Sequence, residues 1–245
     1  MIRKRLVISF IIGSFCIFLM LSNGRNDINN AAMTKVIAEM TVSDVLIKLG
    51  DQVPNHAIQK FDKDSAAIGY ELVTKGKLTD RNHKRLSKFF VCIDCHNTIK
   101  EVEDLSDESP SARISYGKSN DIPFLPASTF YGMYNKAHWY NGDYALKYGD
   151  LVIPTRDSLV NAIQLCAVQC SQGRPMEKWE LNAVLHYFKS IEISISDLKL
   201  SSSELNELSN DLLTKNKKGI ETLKAKYSLI NEATFGNVDL PNIAG

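Results

Sequence analysis

The segment Cys92-Ile93-Asp94-Cys95-His96 is the most informative stretch of this 245-residue chain. Two thiols separated by two residues lie one helical turn apart, so each can bond a haem vinyl group on the same side of the macrocycle. The imidazole of His96 follows directly and can ligate iron from below the ring. C-x-x-C-H in an exported chain is the attachment pattern of haem c. We therefore predict one covalently bound haem c, held by Cys92 and Cys95 with His96 as the proximal iron ligand.

Two other chemistries also use a C-x-x-C pair. A structural zinc site needs two further ligands, and the sequence contains no second C-x-x-C and no H-x-x-x-H. A thioredoxin-like pair belongs to a βαβ unit, and the residues from 89 to 98 show no such pattern. The histidine that follows the second cysteine, together with an export signal, favours haem.

The segments on either side of the motif predict an all-α chain, because their apolar residues recur at helical spacing. We expect helices over residues 33–50, 65–76, about 155 to 170, 177–191, and one or two within 202–227. Residues 104–111 are acidic and predict a solvated loop. Residues 123–148 form an irregular stretch rich in Phe, Tyr and Trp, whose rings we expect to cover a haem edge.

This order of elements resembles the class I cytochrome c fold over about residues 65–192. In that fold the first and last helices cross beside the haem, and the resemblance places the crossing at Gly69–Tyr70 and Tyr187–Phe188. The implied organisation is residues 1–22 as a signal peptide or membrane anchor, 23–64 as a linker and N-terminal helical extension, 65–194 as the cytochrome c domain, and 195–245 as a C-terminal helical extension.

Several residues are candidates for the sixth iron ligand. Met176 lies close to the place where a class I cytochrome carries its methionine, although only a few residues precede the closing helix. Met133 and His138 lie in the aromatic stretch and stay open as alternatives. Cys166 is a further candidate that a family resemblance implies, and its thiolate would stabilise ferric iron and lower the reduction potential relative to methionine.

Cys166 and its neighbour Cys170 also have two structural interpretations. They can be small core residues, or they can pair as a disulfide, as leftover thiols of exported proteins often do. On an α-helix, residues i and i+4 have Cβ atoms about 5–6 Å apart, whereas a disulfide needs about 3.5–4.5 Å. A bridge would therefore require the helix to unwind near residues 167–170.

The run from Ile163 to Met176, IQLCAVQCSQGRPM, resembles the segment R-I-x-x-C-F-x-R-S-x-N-G-[KR]-x-L. That segment belongs to the first haem domain of the thiosulfate dehydrogenases, relatives of the haem subunit of the Sox sulfur-oxidising system. Agreement is found at Ile163, Cys166, Gly173 and Arg174. The resemblance implies that Cys166 is an axial haem ligand that takes part in sulfur chemistry.

Arg174 is then a candidate for substrate binding. Its planar guanidinium matches oxyanion geometry, so it could screen the thiolate or hold a small sulfur oxyanion; a solvated surface position is the alternative. The chain departs from the family at Ala162 and Gln169, which replace two arginines, and at Cys170, which replaces serine. It also contains no second C-x-x-C-H.

The N-terminus indicates export. Arg3, Lys4 and Arg5 precede an apolar run from 6 to 21 and a polar stretch from 22 to 30, which is the layout of an export signal. The run is slightly shorter than the about 20 residues that span a bilayer, so a cleaved signal and an uncleaved anchor both fit. We expect a periplasmic protein, soluble or anchored to the inner membrane.

These residues favour a monohaem c-type cytochrome that passes single electrons between redox partner proteins. The alternative is a sulfur-compound oxidoreductase that joins two thiosulfates to tetrathionate through a Cys166-ligated haem, with a partner cytochrome as acceptor. A third possibility is a module that binds a small gas by displacing a weak axial ligand. Positive and negative charges are nearly balanced without a Lys/Arg stripe, so nucleic acid is not an expected partner.

Overall fold

The computed structural model describes residues 33–79, 82–107, 109–140 and 144–227. Within these ranges the regular elements are helices, apart from an isolated bridge between Thr41 and Ser194. The prediction of an all-α chain is therefore confirmed for this part of the molecule. Residues 1–22, predicted to be a signal or anchor, lie outside it, and none of the described helices is both long and apolar enough to cross a bilayer.

The α-helices follow one another along the chain as α1 (residues 33–38), α2 (Val42–Leu49), α3 (Lys63–Lys75), α4 (Pro110–Asn120), α5 (Tyr144–Tyr148), α6 (Leu159–Leu165), α7 (Lys178–Ser190), α8 (Ser202–Thr214) and α9 (Lys218–Lys224). Short 3₁₀ turns occur at Cys92–Asp94, Met133–Asn135, Gly149–Thr155 and Ile195–Leu198. A π-helical turn over Cys166–Cys170 continues α6.

Helix α3 begins two residues before the helix expected over 65–76 and ends one residue before it, and it is capped at both ends. The Asp62 side chain accepts a hydrogen bond from the Ser65 N–H, and Gly76 ends the helix in the left-handed conformation with φ of 68°. Helices α3 and α7 cross at Gly69, where an added Cβ would lie 2.0 Å from the Ala183 carbonyl oxygen. The crossing thus occurs at the residues predicted for it.

The main core is built on this crossing. It combines Leu72 and Val73 of α3 with Leu181, Val184, Tyr187 and Phe188 of α7, and with Phe130, Met133, Tyr134 and Trp139 of the aromatic stretch. Cys92 and Ala167 pack against its edge as partly buried residues. The core therefore places the C-x-x-C-H motif beside the end of α6.

A second core joins the two ends of the described chain. It contains Val42, Val45 and Leu49 of α2, Ile193 and Ile195 from the segment after α7, and Leu208 and Leu223 of α8 and α9. The N-terminal and C-terminal extensions, predicted as separate segments, thus pack against each other. The apolar faces of α2, α8 and α9 are buried against one another, because each of these helices is too short to be stable without such packing.

The prediction of one helix over residues 33–50 is wrong. The chain breaks at residues 39–41, and Thr41 starts a new helix by accepting a hydrogen bond from the Asp44 N–H. Met40 and Val42, on either side of Thr41, form backbone hydrogen bonds with the segment after α7. The Val42 N–H donates to the Ile193 carbonyl, and the Ile195 N–H donates to the Met40 carbonyl. These long-range bonds replace the intrahelical ones that the sequence pattern implied.

Two further boundaries differ from the predictions. The acidic loop ends earlier than expected, because Ser109 caps α4 and Pro110 occupies its first turn, where proline is tolerated. Helix α6 is capped by Ser158, three residues beyond the position near 155 at which the helix was expected to start. Thr155 is buried and ends a 3₁₀ turn, with its hydroxyl donating to the Val152 carbonyl.

Candidate haem site

The C-x-x-C-H motif forms a compact turn at the end of an extended segment. The Cys95 and His96 N–H groups both donate to the Cys92 carbonyl, at 3.3 and 3.2 Å. The Asp94 carboxylate accepts from the Val91 N–H at 2.7 Å and closes the turn. Cys92 and Cys95 are free thiols, and burial raises the pKa of Cys92 to about 11 and that of Cys95 in the same direction. The two free thiols therefore lie on the same turn.

The imidazole of His96 is fixed by its other ring nitrogen. Its Nδ1 lies 2.5 Å from the Ser128 carbonyl oxygen, to which it donates, and its ring stacks on Phe130 with centroids 4.1 Å apart. Burial lowers the pKa of His96, opposed by the Ser128 carbonyl, so the ring is neutral at pH 7. Nε2 is then the nitrogen with a lone pair for a metal, as in histidines whose second nitrogen bonds a carbonyl.

The loop beneath His96 is held by a buried ion pair. Arg113 pairs with Glu101 at 2.9 Å and also donates to the Leu125 and Ala127 carbonyls at 3.0 and 2.7 Å. The Ala127 N–H in turn donates to the Cys95 carbonyl at 3.0 Å. Sequence reasoning missed this pair, because an Arg and a Glu in polar segments look like ordinary surface charges. Their effect is to position the loop that carries Ser128.

Cys166 and Cys170 lie at the two ends of the π-turn. The Ser171 N–H donates to the Cys166 carbonyl at 2.8 Å, five residues back, so the turn is wider than the α-helix expected here. The Cys166 thiol donates to the Cys170 sulfur, which lowers the pKa of Cys170 to about 5 against the effect of burial. That bond and burial raise the pKa of Cys166.

Two tyrosines complete the surroundings of Cys170. The hydroxyl oxygens of Tyr148 and Tyr140 lie 3.4 and 3.8 Å from its sulfur, and both help to lower its pKa. The sequence placed these tyrosines in an aromatic stretch expected to cover a haem edge, without assigning them a partner. No local pattern predicts their contact with Cys170, which lies at least 22 residues further along the chain.

The π-turn is anchored to the segment that enters the C-x-x-C-H motif. The Ser87 hydroxyl donates to the Ser171 carbonyl at 2.5 Å, and the Arg174 N–H donates to the Leu86 carbonyl at 2.9 Å. Gly173 permits this approach, since an added Cβ would lie 2.4 Å from the Leu86 oxygen. Cys92 and Cys166 are close enough for their charges to interact, as are Cys95 and Cys170. The structure therefore gathers these four cysteines into one region.

Two of the alternative sixth ligands have other partners. The Met133 sulfur accepts a hydrogen bond from the Trp139 indole at 3.2 Å inside the main core. His138 is exposed and pairs with Asp157 at 2.7 Å. Met176 is buried in the main core. Cys166 differs from these three because it is close enough to Cys92 for their charges to interact.

Arg174 is partly buried and belongs to an ion-pair network around Glu180. Its guanidinium donates to both carboxylate oxygens of Glu180, at 2.8 and 2.5 Å, and to the Lys84 carbonyl at 2.8 Å. Glu180 is fully buried and also contacts His83 Nε2 at 2.6 Å. Burial alone would raise the pKa of Glu180, but the bonds from Arg174, the Glu177 N–H and His83 bring it below its ordinary value. The contacts give Arg174 a structural role.

The donor groups fit haem c. Two free thiols share one turn, and a neutral imidazole with its Nδ1 fixed follows them. Among the described residues, no three His, Cys, Asp or Glu side chains are grouped to hold a metal ion by themselves. A haem iron does not need such a group, because the macrocycle supplies four nitrogens and the protein only the axial ligands.

Comparison with protein-family models, curated proteins and solved structures finds no match for this chain.

Proposed function

We propose that the protein is an exported monohaem c-type cytochrome that transfers electrons between redox partner proteins in the periplasm or at the membrane surface. The observation that carries the proposal is the fixed imidazole of His96 directly after the two thiols of one turn. Haem c, when bound, supplies a one-electron iron couple. Cys92 and Cys95 would hold it covalently, and the Ser128 carbonyl and the Phe130 ring would set the orientation of His96.

The packing of α3 on α7 supports a class I cytochrome c arrangement around this motif. In that arrangement the first and last helices of the haem domain cross, with the C-x-x-C-H motif following the first one. Here Gly69 allows the crossing, and Tyr70 packs against Tyr187 with ring centroids 5.5 Å apart. Phe130 links this crossing to the site, because its ring contacts both His96 and Phe188.

Cys166 is the sixth ligand that we propose. Its support is position: Cys166 is close enough to Cys92 for their charges to interact, whereas the Met133 sulfur and the His138 ring have other partners. A thiolate donor would stabilise the ferric state and lower the reduction potential relative to a methionine ligand. Arg174 takes no part in this proposal, because Glu180 occupies its guanidinium.

Covalent haem attachment is tested by expressing the full chain in a host with a cytochrome c maturation system. We expect one haem per chain by pyridine haemochrome and a corresponding mass increase. The Cys95→Ser variant should lose one thioether and shift the haemochrome band. The matched control Cys170→Ser, at a cysteine outside the motif, should keep the wild-type attachment. A wild-type mass equal to that of the bare polypeptide would refute the proposal.

A second candidate function, thiosulfate oxidation to tetrathionate, has one favourable observation. Cys166 is only partly buried, so a small sulfur compound can approach its sulfur. Steady-state tetrathionate formation with an artificial electron acceptor tests this candidate. Turnover that is lost in Cys166→Ser, with covalent haem retained, would establish the enzyme; absence of turnover in wild type leaves electron transfer.

A further inference from the structure

We propose that the loop of residues 84–90, here called the entry loop because it leads into the C-x-x-C-H motif, binds the surface of an anionic phospholipid bilayer. Two adjacent phenylalanines lie at its end, and Phe89 is 65% exposed and Phe90 44% exposed. Apolar side chains exposed side by side are typical of sites that contact another protein or a membrane. The charges around these rings decide between the two.

The entry loop is strongly basic. Lys84, Arg85 and Lys88 are all exposed, and none of them forms an ion pair with any part of the chain that the structure describes; Arg85 donates from Nε to the Ser87 carbonyl at 2.6 Å. From position 81 to position 93 the sequence contains no Asp or Glu, although charge is nearly balanced over the whole chain. The surface that complements the loop is therefore anionic.

The phenylalanines are held in place by the backbone of the loop. The Ser87 hydroxyl accepts from the N–H groups of Phe89 and Phe90, at 3.0 and 3.3 Å, and donates to the Ser171 carbonyl at 2.5 Å. The exposed rings thus project from a turn that is tied to the rest of the molecule. Because the turn is already ordered, little conformational entropy is lost when the rings enter another surface.

A tryptophan of α7 lies beside the entry loop. Trp179 is exposed, and its ring packs edge-on against His83, the residue before Lys84, with centroids 5.4 Å apart. Its indole N–H donates to Glu177 at 2.8 Å, and the exposed Lys178 offsets this carboxylate. Tryptophan is enriched where a membrane meets water, since its ring is apolar and its N–H is polar. The third aromatic ring thus extends the same kind of surface.

A lipid surface fits this composition better than a protein partner does. Contact surfaces between proteins are enriched in aromatic residues and arginine but depleted in lysine. Segments that lie on a membrane combine Lys and Arg with Phe, Trp or Leu, and two of the three cations of the entry loop are lysines. Each cation close to an anionic membrane strengthens binding by about fivefold, and the apolar rings enter the boundary between headgroups and acyl chains.

Membrane binding at the entry loop would also bring the haem-attachment turn to the bilayer, since Cys92 follows Phe90 by two residues. This consequence rests on the proposed function. A haem held at that turn would exchange electrons with a redox partner embedded in the same membrane, and not with one that diffuses freely.

The test applies hydroxyl-radical footprinting, read by mass spectrometry, to the haem-loaded full chain. Two kinds of vesicle are compared, one of phosphatidylcholine alone and one of phosphatidylcholine and phosphatidylglycerol in equal parts. We expect the anionic vesicles to protect Phe89, Phe90 and Trp179 from oxidation, and the neutral vesicles to protect them much less. High salt should weaken the protection, because it screens the cations. The readout is local, so an N-terminal membrane anchor does not imitate it.

The apolar contribution is tested by the double variant Phe89→Ser, Phe90→Ser, with Trp179 as the reporter. The concentration of anionic vesicles that half-protects Trp179 should rise by about tenfold or more, because two rings no longer leave water. Leu213→Ser is the matched control, since it removes an exposed apolar side chain of α8. It should leave the half-protecting concentration unchanged.

The charge contribution is tested by the double variant Lys84→Gln, Lys88→Gln. Half-protection of Phe89 and Phe90 should then need about twentyfold more anionic vesicle, at about fivefold for each charge. The double variant Lys118→Gln, Lys217→Gln removes two exposed lysines outside the entry loop and should behave as wild type.

Three results would overturn the proposal. Equal oxidation of Phe89 and Phe90 with and without anionic vesicles would leave an acidic protein as the occupant. Equal protection by both kinds of vesicle would remove the role of the cations. Rings that are unreactive before any vesicle is added would be covered within the molecule itself. Pyridine haemochrome on the same samples reports haem separately, so a haem-free chain whose entry loop still binds vesicles would refute only the proposed function.

Discussion

The histidines of this chain show how environment decides the role of a residue type. His96 is fixed by the Ser128 carbonyl and stacked on Phe130. His56 is buried, contacts the Tyr134 carbonyl through Nε2 at 2.9 Å, and lies edge-on to the rings of Tyr134 and Trp139. His138 is exposed at the surface. Only His96 has a neighbouring sequence pattern that predicts a role, that of a haem ligand.

His56 should make the stability of the protein depend on pH. Burial lowers its pKa below 6.5, against the effect of the Tyr134 carbonyl, so below pH 6.5 the unfolded chain binds more protons than the folded one. The free energy of unfolding therefore falls as pH decreases from about 7 through the lowered pKa. We expect a lower urea midpoint near pH 5.5 than near pH 7.5 in haem-loaded protein.

The His56→Gln variant should lose part of this pH dependence, since it has no imidazole to protonate at that site. The matched control is His138→Gln, which removes an exposed imidazole and should leave the dependence at its wild-type size. Equal pH profiles for wild type and His56→Gln would contradict the assignment.

At the scale of elements, glycine decides how closely two segments approach. Gly69 lets α3 contact the backbone of α7, and Gly173 lets the π-turn contact the segment that enters the haem motif. In both places an added Cβ would meet a carbonyl oxygen of the neighbouring segment. A backbone carbonyl cannot rotate away as a flexible side chain can, so the helix or turn itself would have to move.

Gly69→Ala should destabilise the protein, although alanine is the better helix former by about 1 kcal/mol. The added Cβ would lie 2.0 Å from the Ala183 oxygen and 2.9 Å from the Tyr187 Cβ. Overpacking of this kind costs about 1–3 kcal/mol or more, so the net change should be a loss. Urea denaturation measures it, and Ala67→Ser at an exposed position of the same helix is the control. A Gly69→Ala protein as stable as wild type would show that α3 and α7 are further apart.

At the scale of the whole molecule, the buried apolar residues form two hydrophobic cores, a larger main core and a smaller second core. The main core holds the motif, the crossing of α3 and α7, and the aromatic stretch. The second core draws α2 from one end and α8 and α9 from the other. The segment after α7 connects them, since Ile193 and Ile195 belong to the second core while Gly132 of the aromatic stretch donates to the Ile191 carbonyl.

Leu223→Ala should therefore loosen both ends of the described chain. Leu223 is 1% exposed and lies in the second core with residues of α2, so truncation should cost about 2–5 kcal/mol. We expect faster amide hydrogen exchange in α2 as well as in α8 and α9. Leu213→Ala is the matched control, because Leu213 is 68% exposed on α8. Faster exchange confined to α8 and α9 would mean that the two ends fold independently.

The sequence alone determined the helical class and the approximate positions of α3 and α7, which follow from the spacing of apolar residues. The residues at which the two helices cross were implied by the resemblance to the class I cytochrome c fold, and Gly69 lies at that crossing. The prediction of haem attachment also rests on a local pattern, because five consecutive residues contain all the groups that it requires. Attachment itself stays a prediction.

Tertiary structure decided the break at residues 39–41, the π-turn at Cys166–Cys170, and the pairing of Arg174 with the buried Glu180. Each of these depends on a partner distant in sequence or on backbone geometry that composition does not encode. The break forms because residues 40–42 bond to residues 193–195, and the π-turn is held by contacts with Leu86 and Ser87. Contacts between distant segments are decided when the chain packs, and periodicity within one segment carries no information about them.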